Sequence, residues 1–477
     1  MIFNSIPFII FFPIVVLIYY VLPVKIRYIW LFVCSYFFYF TQSASYVAFL
    51  LISTLTTYFA GIFLFKTESV KPKKLIVALS FIVNIGLMVF FKYTDFALGA
   101  VGSERRLSLV IPVGISFYSL MALSYVMDCY RGKMEPERNF IRYALYVSFF
   151  LTLLSGPINL ARDLIPQLKC DNKPELQDIK LGLMRMLWGY FLKLVIAARL
   201  TILVDTAYAN ADGFSGGSLL LAAVSYLFML YCDFEGYSQI AIGGAGLLGI
   251  HMKDNFSQPF YSESMGQLWH RWHISLSTWF KEYLYFPLGG NRKGTVRKYI
   301  NLMIVMFVSG LWHGANTTFF VWGILNGIFL VGGNLLINKR NKLWEKSGLA
   351  PECELRKILQ RIGVYILYGF SMIFFANDSL ANAIIVVKGI FTRFSLSALI
   401  HGEMFSLGLG KLNLLYVLLL AVFVLIADGF CYRNKCNITG FITKLPTWAR
   451  WTLYLGLVTM IVFSANLTGQ EFIYSRM

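Results

Sequence analysis

The sequence predicts an all-α polytopic membrane protein, with roughly eleven or more transmembrane helices and additional re-entrant or interfacial helices. Of the 477 residues, 58% are hydrophobic and only 14% are charged, whereas a soluble domain has about 25% charged residues. The mean hydropathy is +0.65, and long apolar runs recur from one end of the chain to the other. These observations together exclude an ordinary soluble protein.

The apolar runs mark the candidate spans in chain order. They lie at 6–22, 28–40, 46–65, 75–91, 109–127, 299–311, 319–337, 415–426 and 451–463. A helix needs about 20 apolar residues to cross the hydrocarbon core of a bilayer, so the shorter runs are expected to be re-entrant or interfacial. The first run has no basic residue before it and no small-residue cleavage site directly after it. We therefore expect an uncleaved span there, not a signal peptide.

No stretch of the chain is long and polar enough to form a separate soluble domain. We therefore predict one integral membrane domain over residues 1–477. Its N-terminal spans cover 1–140, a more polar central region covers 141–336, and the C-terminal spans cover 337–477. The seven cysteines include no CxxC pair, so neither a disulfide framework nor a metal cluster is expected.

The net charge of +18 does not indicate a nucleic-acid-binding protein, because the basic residues cluster in short loops between apolar runs. Cytoplasmic loops of membrane proteins carry such an excess of Lys and Arg. The basic residues Lys25 and Arg27, and the loops at 66–74, 131–138 and 338–357, are therefore predicted to be cytoplasmic. The N-terminus is then predicted to lie outside.

Polar and glycine-rich pieces interrupt the apolar pattern between residues 155 and 323. Gly156 and Pro157 break one stretch, and Asp233 and Glu235 stand within another that is otherwise apolar. Irregular backbone at membrane depth is tolerated only where protein buries it or water reaches it. Ionisable side chains at that depth are costly and usually face a cavity. The functional site is therefore expected in this central region.

The most unusual histidine is His313, in the segment "FVSGLWHGANTTFFVWG" at 307–323, which otherwise has the composition of a membrane-buried helix. It is either a buried histidine that hydrogen-bonds another helix or a general base. A neutral imidazole is a good base near pH 7, and burial keeps an imidazole neutral. Gly310 and Gly314 leave room for a substrate or for a neighbouring backbone. The other histidines are His251, His270, His273 and His401, of which His251 and His401 are expected to be interfacial.

The second candidate is the segment 269–285, which has three tryptophans and three charged residues. One interpretation is an interfacial amphipathic helix with an aromatic belt. The other is a re-entrant piece that lines a cavity and brings His273 near His313. The pattern alone leaves both interpretations open.

Signatures of several other functional classes are absent. The chain has no GxxxxGK[ST] motif for an ATP-driven pump, no GxSxG nucleophile elbow and no HExxH zinc site. The "GGAG" sequence at 243–246 follows no strand, so close helix packing is a better interpretation than phosphate binding.

Several motifs, taken in their order along the chain, resemble the membrane-bound O-acyltransferase family and most closely its bacterial alginate O-acetyltransferase-like branch. The most specific are "RWHISLSTWFKEYLYFPLGGNRKG" at 271–294 and "SGLWHGANTTFFVWGILNG" at 309–327. The others are "IPVGISFYSLMALSYVMDCYRG" at 111–132, "LLSGPI" at 153–158, "FLKLVIAARL" at 191–200, "DFEGYSQIAIG" at 233–243 and "FIYSRM" at 472–477.

The resemblance implies a ring of helices around a catalytic tunnel, with the catalytic region at 141–336. It implies transfer of an acyl group, with acetyl expected, from a cytoplasmic thioester donor to a hydroxyl of an extracytoplasmic polysaccharide or a relay protein. His313 matches the catalytic histidine of the family and would be the general base, and His273 matches a second histidine of the branch. His273 would then orient the acceptor or assist the developing oxyanion, alongside polar groups such as Asn316. The residues expected to bind substrate or line the tunnel are Asp233, Tyr237, Arg271, Trp272, Ser309, Trp312 and Asn316.

The resemblance also implies the partners and the location. No bound cofactor is expected, and acetyl-CoA is the expected acyl donor. An extracytoplasmic hydrolase-like protein is the expected partner, and the bacterial cytoplasmic membrane is the expected location. Two alternatives are a transporter of polysaccharide or lipid-linked substrate and an inactive scaffold of a synthase complex. The pair His273 and His313 favours the enzyme, because a transporter does not need it.

Overall fold

The computed structural model describes residues 1–103, 105, 107–170 and 175–464. Within these residues the chain forms helices and no β-strand. The C-terminal motif at 472–477, and the end of the predicted C-terminal spans, lie outside the described residues.

The helices follow one another in chain order with short connections. They are α1 (Ile6–Val21), α2 (Val24–Phe40), α3 (Ala44–Lys66), α4 (Val70–Ala100), α5 (Ile115–Tyr130), α6 (Phe140–Ser148), α7 (Phe150–Leu153), α8 (Ala161–Lys169), α9 (Leu176–Tyr190), α10 (Ala198–Ala209), α11 (Gly216–Leu247), α12 (Met265–Arg271), α13 (Ile274–Phe280), α14 (Thr295–His313), α15 (Thr317–Leu335), α16 (Ile337–Lys346), α17 (Glu354–Ala376), α18 (Leu380–Thr392), α19 (Leu396–Ala398), α20 (Met404–Ser406), α21 (Gly410–Asn434), α22 (Ile438–Lys444) and α23 (Thr447–Ser464). Helical turns of π type join α9 to α10, follow α13 and join α19 to α20.

Seven of the described helices are long and apolar enough to cross a membrane, with α9 and α10 counted as one. The pair formed by α18 and 396–406, bent by 101°, would be an eighth span. Three shorter apolar helices lie at Ile6–Val21, Phe140–Leu153 and Thr447–Phe463. The predicted all-α, multi-pass membrane fold is confirmed. The predicted number of spans is reached only if the shorter helices also cross, and the ring and tunnel stay predictions.

The fifth predicted span, at 109–127, differs from the observed helix. Helix α5 begins only at Ile115, because Gly114 before it has a left-handed backbone with a φ of +81°. A Cβ at Gly114 would lie 2.3 Å from the carbonyl oxygen of Leu153, so no other residue fits this turn without a shift of the backbone. The apolar residues before Gly114 therefore form a connection, although their composition is that of a span.

The central region contains two long helices that the apolar pattern did not delimit. The span formed by α9 and α10 has 72% of its most apolar window buried, and α11 has 83%. Most side chains in these windows are therefore covered by protein, which is where polar residues at membrane depth are tolerated.

The chain divides into two compact units. The first contains residues 1–189 and 237–254, and the described part of the second contains 190–236 and 255–464. In the first unit a cluster of phenylalanines forms part of the core, with Phe38 and Phe150 at 5.8 Å between ring centroids. A Cβ at Gly243 would lie 2.5 Å from the carbonyl oxygen of Gly182. The "GGAG" sequence therefore begins at a close helix contact, as expected.

In the second unit, α14 and α15 form a hairpin that glycines bring into close contact. A Cβ at Gly310 would lie 2.4 Å from the carbonyl oxygen of Phe319, and one at Gly323 would lie 2.7 Å from that of Met306. The space at Gly310 is therefore occupied by neighbouring backbone and does not hold a substrate. Helix α17 packs on this hairpin, where the Asn326 amide donates a hydrogen bond of 3.1 Å to Ser371 Oγ.

Candidate active site

His313 is the last residue of α14, at the turn of the helical hairpin. Gly314 ends the helix with an extended backbone, and Asn316 begins the next helix as its N-cap. Its Oδ1 accepts a hydrogen bond of 3.1 Å from the backbone N–H of Thr318, the interaction that favours Asn at this position. His313 is therefore held at the end of a rigid helix and does not lie on a mobile loop.

Aromatic rings surround the imidazole of His313, which is only 4% exposed. The ring centroids of Trp312 and Phe375 each lie 4.9 Å from that of the imidazole. Trp322 lies at 5.1 Å and Phe319 at 6.3 Å. These apolar rings leave little room for bulk water beside the imidazole, which suits a base that must select a particular hydroxyl over water.

His273 lies at the break between two short helices, α12 and α13. Its backbone is left-handed with a φ of +45°, a conformation that is uncommon for a residue other than glycine. His273 and Trp272 are only 2% and 3% exposed. The segment therefore does not form one continuous amphipathic helix. The alternative interpretation, a re-entrant piece that lines a cavity, stays a prediction.

Burial lowers the pKa of His273 well below its ordinary value, so the imidazole is neutral at pH 7. Its Nδ1 lies 3.3 Å from Oδ1 of Asn255. The ring of Phe234 meets the imidazole edge to face, with 4.6 Å between centroids and an interplanar angle of 88°. The position and the plane of the imidazole are therefore both defined by neighbouring side chains.

Trp312 contacts the rings of both histidines. Its centroid lies 6.3 Å from that of His273 and 4.9 Å from that of His313. Ser309, one helical turn before His313, is also buried at 5% exposure and lies on the same face of α14. The structure therefore brings together four of the residues that the sequence singled out.

Other residues predicted for the tunnel have different neighbours. Arg271 donates a hydrogen bond of 3.1 Å to the Ser257 carbonyl and lies over the ring of Tyr432 at 5.0 Å. Trp272 packs edge to face against Tyr368 at 5.4 Å. These contacts hold Arg271 and Trp272 in place at the break between α12 and α13. The expected roles of both residues in binding substrate stay predictions.

Asp233 and Tyr237 both lie on α11. Asp233 belongs to the second unit, where its carboxylate forms a buried ion pair with Lys193. Tyr237 belongs to the first unit, where its ring stacks on that of Phe3 at 4.5 Å. A role of Tyr237 in the tunnel stays a prediction.

Asn316, expected to bind substrate and to help stabilise an oxyanion, has a structural role in the helical hairpin. Its Oδ1 caps α15, and its Nδ2 donates a hydrogen bond of 2.6 Å to the backbone carbonyl of Asp378. Both ends of the carboxamide are therefore engaged by the protein, which weakens the case for an oxyanion role.

Two polar residues of the site were not singled out from the sequence. Lys193 interrupts the apolar "FLKLVIAARL" stretch, and a charged residue in such a stretch is itself a signal of a function or a partner. Asn255 left no comparable signal, because a single Asn in the polar connection "MKDNFSQ" has no recognisable pattern. Among the described residues, no group of three His, Cys, Asp or Glu side chains could hold a metal ion.

Comparison with known proteins supports the resemblance. Residues 26–374 match the model of the membrane-bound O-acyltransferase family. The chain is 36% identical over 341 residues to a probable alginate O-acetylase of Pseudomonas putida, covering 69% of this chain and 70% of that protein. It is 30% identical over 481 residues to a peptidoglycan O-acetyltransferase of Helicobacter pylori, covering 92% and 89% of the two chains.

A more distant relative acts on a different polymer. A teichoic acid D-alanyltransferase of Streptococcus thermophilus is 28% identical over 290 residues, covering 56% of this chain and 68% of that protein. The extent of the family match and the two closer similarities agree with the all-α, multi-pass fold. The chain therefore belongs to the membrane-bound O-acyltransferase family and is a multi-pass membrane acyltransferase.

Proposed function

We propose that this enzyme transfers an acetyl group from a cytoplasmic thioester to a hydroxyl of an extracytoplasmic polysaccharide, with His313 as the general base. The observation that carries the proposal is that His273 and His313, both buried, pack against the same indole of Trp312. Names of relatives support the acetyl group and the polymer, since two of them are an alginate O-acetylase and a peptidoglycan O-acetyltransferase.

The chemistry needs little beyond a base and alignment, because a thioester is already activated. His313 accepts the proton of the acceptor hydroxyl while the hydroxyl oxygen attacks the thioester carbonyl. The tetrahedral intermediate collapses to an ester and a thiolate, and the thiolate takes the proton from the imidazolium. His273 orients the reactants beside the base. The aromatic rings around His313 disfavour water as a competing acceptor.

A phosphorylated donor such as acetyl-CoA has a candidate binding region near Arg271. The guanidinium of Arg271 lies 5.0 Å from the Tyr432 ring centroid, and that of Arg361 lies 5.3 Å from the same centroid. Glu263 accepts a hydrogen bond of 3.1 Å from Arg361, so a carboxylate lies beside one of these two guanidinium groups. Arginine suits the recognition of phosphate, and the sequence predicts that the adjacent loop at 338–357 is cytoplasmic.

The acceptor is proposed to lie outside the bacterial cytoplasmic membrane, either as the polysaccharide or as a hydroxyl of a relay protein. The resemblance to the alginate branch suggests a hydrolase-like relay partner. The alternative is a transporter that moves a glycan without consuming a thioester. The buried histidine pair favours transfer chemistry, because a translocation path has no need of a shielded base.

The test is transfer from radiolabelled acetyl-CoA by membranes that contain the full chain, with alginate oligosaccharides and peptidoglycan fragments as acceptors. We expect His313→Ala to lose transfer while it inserts and folds like the wild type. His401→Ala is the matched control, because His401 is exposed and should keep wild-type transfer. Wild-type turnover by His313→Ala would refute the assignment of His313 as the general base. If the wild type consumes no acetyl-CoA at all, the transporter alternative is favoured.

A further inference from the structure

The carboxamide of Asn255 lies beneath the break between α12 and α13. We infer that Asn255 is a positioning residue that holds His273 in the tautomer with hydrogen on Nδ1, so that Nε2 accepts a hydrogen bond from an acceptor hydroxyl other than the one that His313 deprotonates. This inference deepens the proposed function and rests on it for the identity of the hydroxyl. The tautomer itself follows from contacts on the protein alone.

The orientation of the Asn255 carboxamide is determined by the backbone N–H of Ser275. The backbone N–H of Ser275 donates a hydrogen bond of 3.2 Å to Oδ1 of Asn255, and Ser275 Oγ donates one of 3.0 Å to the same atom. A backbone N–H can only donate, so the side-chain atom that faces it must be the oxygen and not the amide nitrogen. The usual ambiguity between the two ends of an Asn side chain is therefore removed.

His273 faces that same oxygen. Its Nδ1 lies 3.3 Å from Oδ1 of Asn255, and a carboxamide oxygen only accepts hydrogen bonds. Nδ1 must therefore carry a hydrogen. In a neutral imidazole only one ring nitrogen is protonated, so Nε2 carries the lone pair. Burial, which lowers the pKa of His273, keeps the ring in this neutral form.

The backbone around the break limits any rearrangement of this contact. The carbonyl of Asn255 accepts a hydrogen bond of 2.8 Å from the N–H of Ile274, and Asn255 is 0% exposed. Phe234 lies edge to face against the imidazole, which opposes a flip of the ring. The backbone and side chain of Asn255 thus contact three consecutive residues, His273, Ile274 and Ser275, where α13 begins.

The tautomer decides between two roles that the sequence left open for His273. A lone pair on Nε2 accepts a hydrogen bond from an O–H group and orients it. It cannot donate to the oxyanion of a tetrahedral intermediate, because a neutral imidazole has no second N–H. His273 therefore orients the acceptor through a hydroxyl next to the reacting one, and it does not stabilise the oxyanion.

A purely structural role for Asn255 is the competing explanation, since its side chain also caps the first turn of α13 through Ser275. A cap contributes about 1 kcal/mol to stability. A capping role alone does not determine which ring nitrogen of His273 is protonated. Nitrogen NMR of histidine separates the two explanations without any need for transfer activity.

The experiment uses the full chain in lipid nanodiscs, with histidine labelled on both ring nitrogens and the His273 signals assigned by their loss in His273→Asn. At neutral pH we expect Nδ1 of His273 to resonate as a protonated nitrogen and Nε2 as a lone-pair nitrogen. We expect Asn255→Leu to abolish this preference and Asn255→Asp to keep it. A wild-type spectrum with hydrogen on Nε2 would overturn the inference, even if no variant folds.

Kinetics then test the consequence, with acetyl-CoA as donor and an alginate oligosaccharide as acceptor. We expect Asn255→Leu to raise the KM for the acceptor about tenfold, the effect of losing one hydrogen bond, and to leave the KM for acetyl-CoA unchanged. Asn255→Asp should restore most of the loss.

Ser275→Ala is the matched control, because it removes a hydrogen bond to the same oxygen without touching His273. We expect it to retain the wild-type KM for the acceptor. Equal losses in Ser275→Ala and Asn255→Leu would contradict the positioning role and leave Asn255 as a cap. If the wild type transfers no acetyl group at all, the proposed function fails, while the NMR result still decides the tautomer.

Discussion

The indole ring of Trp312 lies 6.3 Å from the imidazole ring of His273, measured between centroids, although the two residues belong to different helical segments. The same indole lies 4.9 Å from His313. Trp312 therefore packs against both histidines, and it is only 4% exposed.

Truncation of Trp312 should disturb both histidines. We expect Trp312→Ala to destabilise the protein by about 3–5 kcal/mol, because it leaves a large cavity, and to lower acetyl transfer strongly. Trp312→Phe should retain more of both properties. Thermal unfolding in detergent and radiolabel transfer in membranes measure the two effects. Normal transfer by a folded Trp312→Ala protein would show that Trp312 is not needed to position the two histidines.

The close contact at Gly310 should tolerate no side chain. A Cβ there would lie 2.4 Å from the Phe319 carbonyl, and we expect Gly310→Ala to cost about 1–3 kcal/mol by overpacking. Because His313 ends the same helix, transfer should fall with stability.

Gly332→Ala is the matched control for that substitution. Gly332 lies on α15, where an added Cβ would meet no atom within 4 Å. We expect it to keep the wild-type melting temperature and transfer rate. Equal effects of the two substitutions would contradict the close helix contact as the cause.

The buried ion pair of Lys193 and Asp233 should be more sensitive to the loss of one partner than of both. Lys193→Met leaves the Asp233 carboxylate without this ion pair, and we expect a loss of about 3–5 kcal/mol. Lys193→Met combined with Asp233→Leu should recover much of this loss, as apolar replacements of buried pairs often do. Thermal melts of the two single variants and the double variant form the required cycle. If the double variant is less stable than both single variants, other interactions of Lys193 and Asp233 contribute more to stability than their ion pair does.

The carboxyl group of Glu137, in the connection after α5, should make the free energy of unfolding depend on pH in the acid range. Burial raises the pKa of its carboxyl group. The hydrogen bond and charge of Lys169, the N–H of Asn139 and the charge of Arg142 lower it, and the net pKa is lowered. Lys169 Nζ lies 2.8 Å from the carboxylate. The folded-state pKa is thus below the unfolded one.

Such a carboxylate stabilises the fold above its unfolded-state pKa, and the contribution disappears as pH falls through the folded-state pKa. The relevant window lies below about pH 4.3, the ordinary value for Glu. We expect Glu137→Gln to lower the melting temperature at pH 7 and to show a smaller further loss than the wild type on acidification. Glu135→Gln, at an exposed position, should follow the wild-type curve. Parallel curves for wild type and Glu137→Gln would show that this carboxylate does not set the acid limit.

Much of the candidate site was visible in the sequence because its signals are local. His313 stood out against an apolar segment, and the order of the motifs assigned His273 a related role. The partner of Asp233 was not visible, because nothing in the pattern of α11 points to Lys193. The capping role of Asn316 was also missed, although Asn before a helix is a common N-cap.

The sequence by itself determined that this chain is an all-α, multi-pass membrane protein of a recognisable acyltransferase family. Hydropathy and the order of motifs are properties of residues that are neighbours in the chain, so they can be assessed without a structure. Only the tertiary structure decided that His273 has a left-handed backbone at a helix break, and that Asn255 faces its Nδ1. Only packing also decided that the space at Gly310 belongs to α15. These relationships depend on how distant helices meet, which is set by the shapes of whole helix surfaces and leaves no periodic signal in the chain.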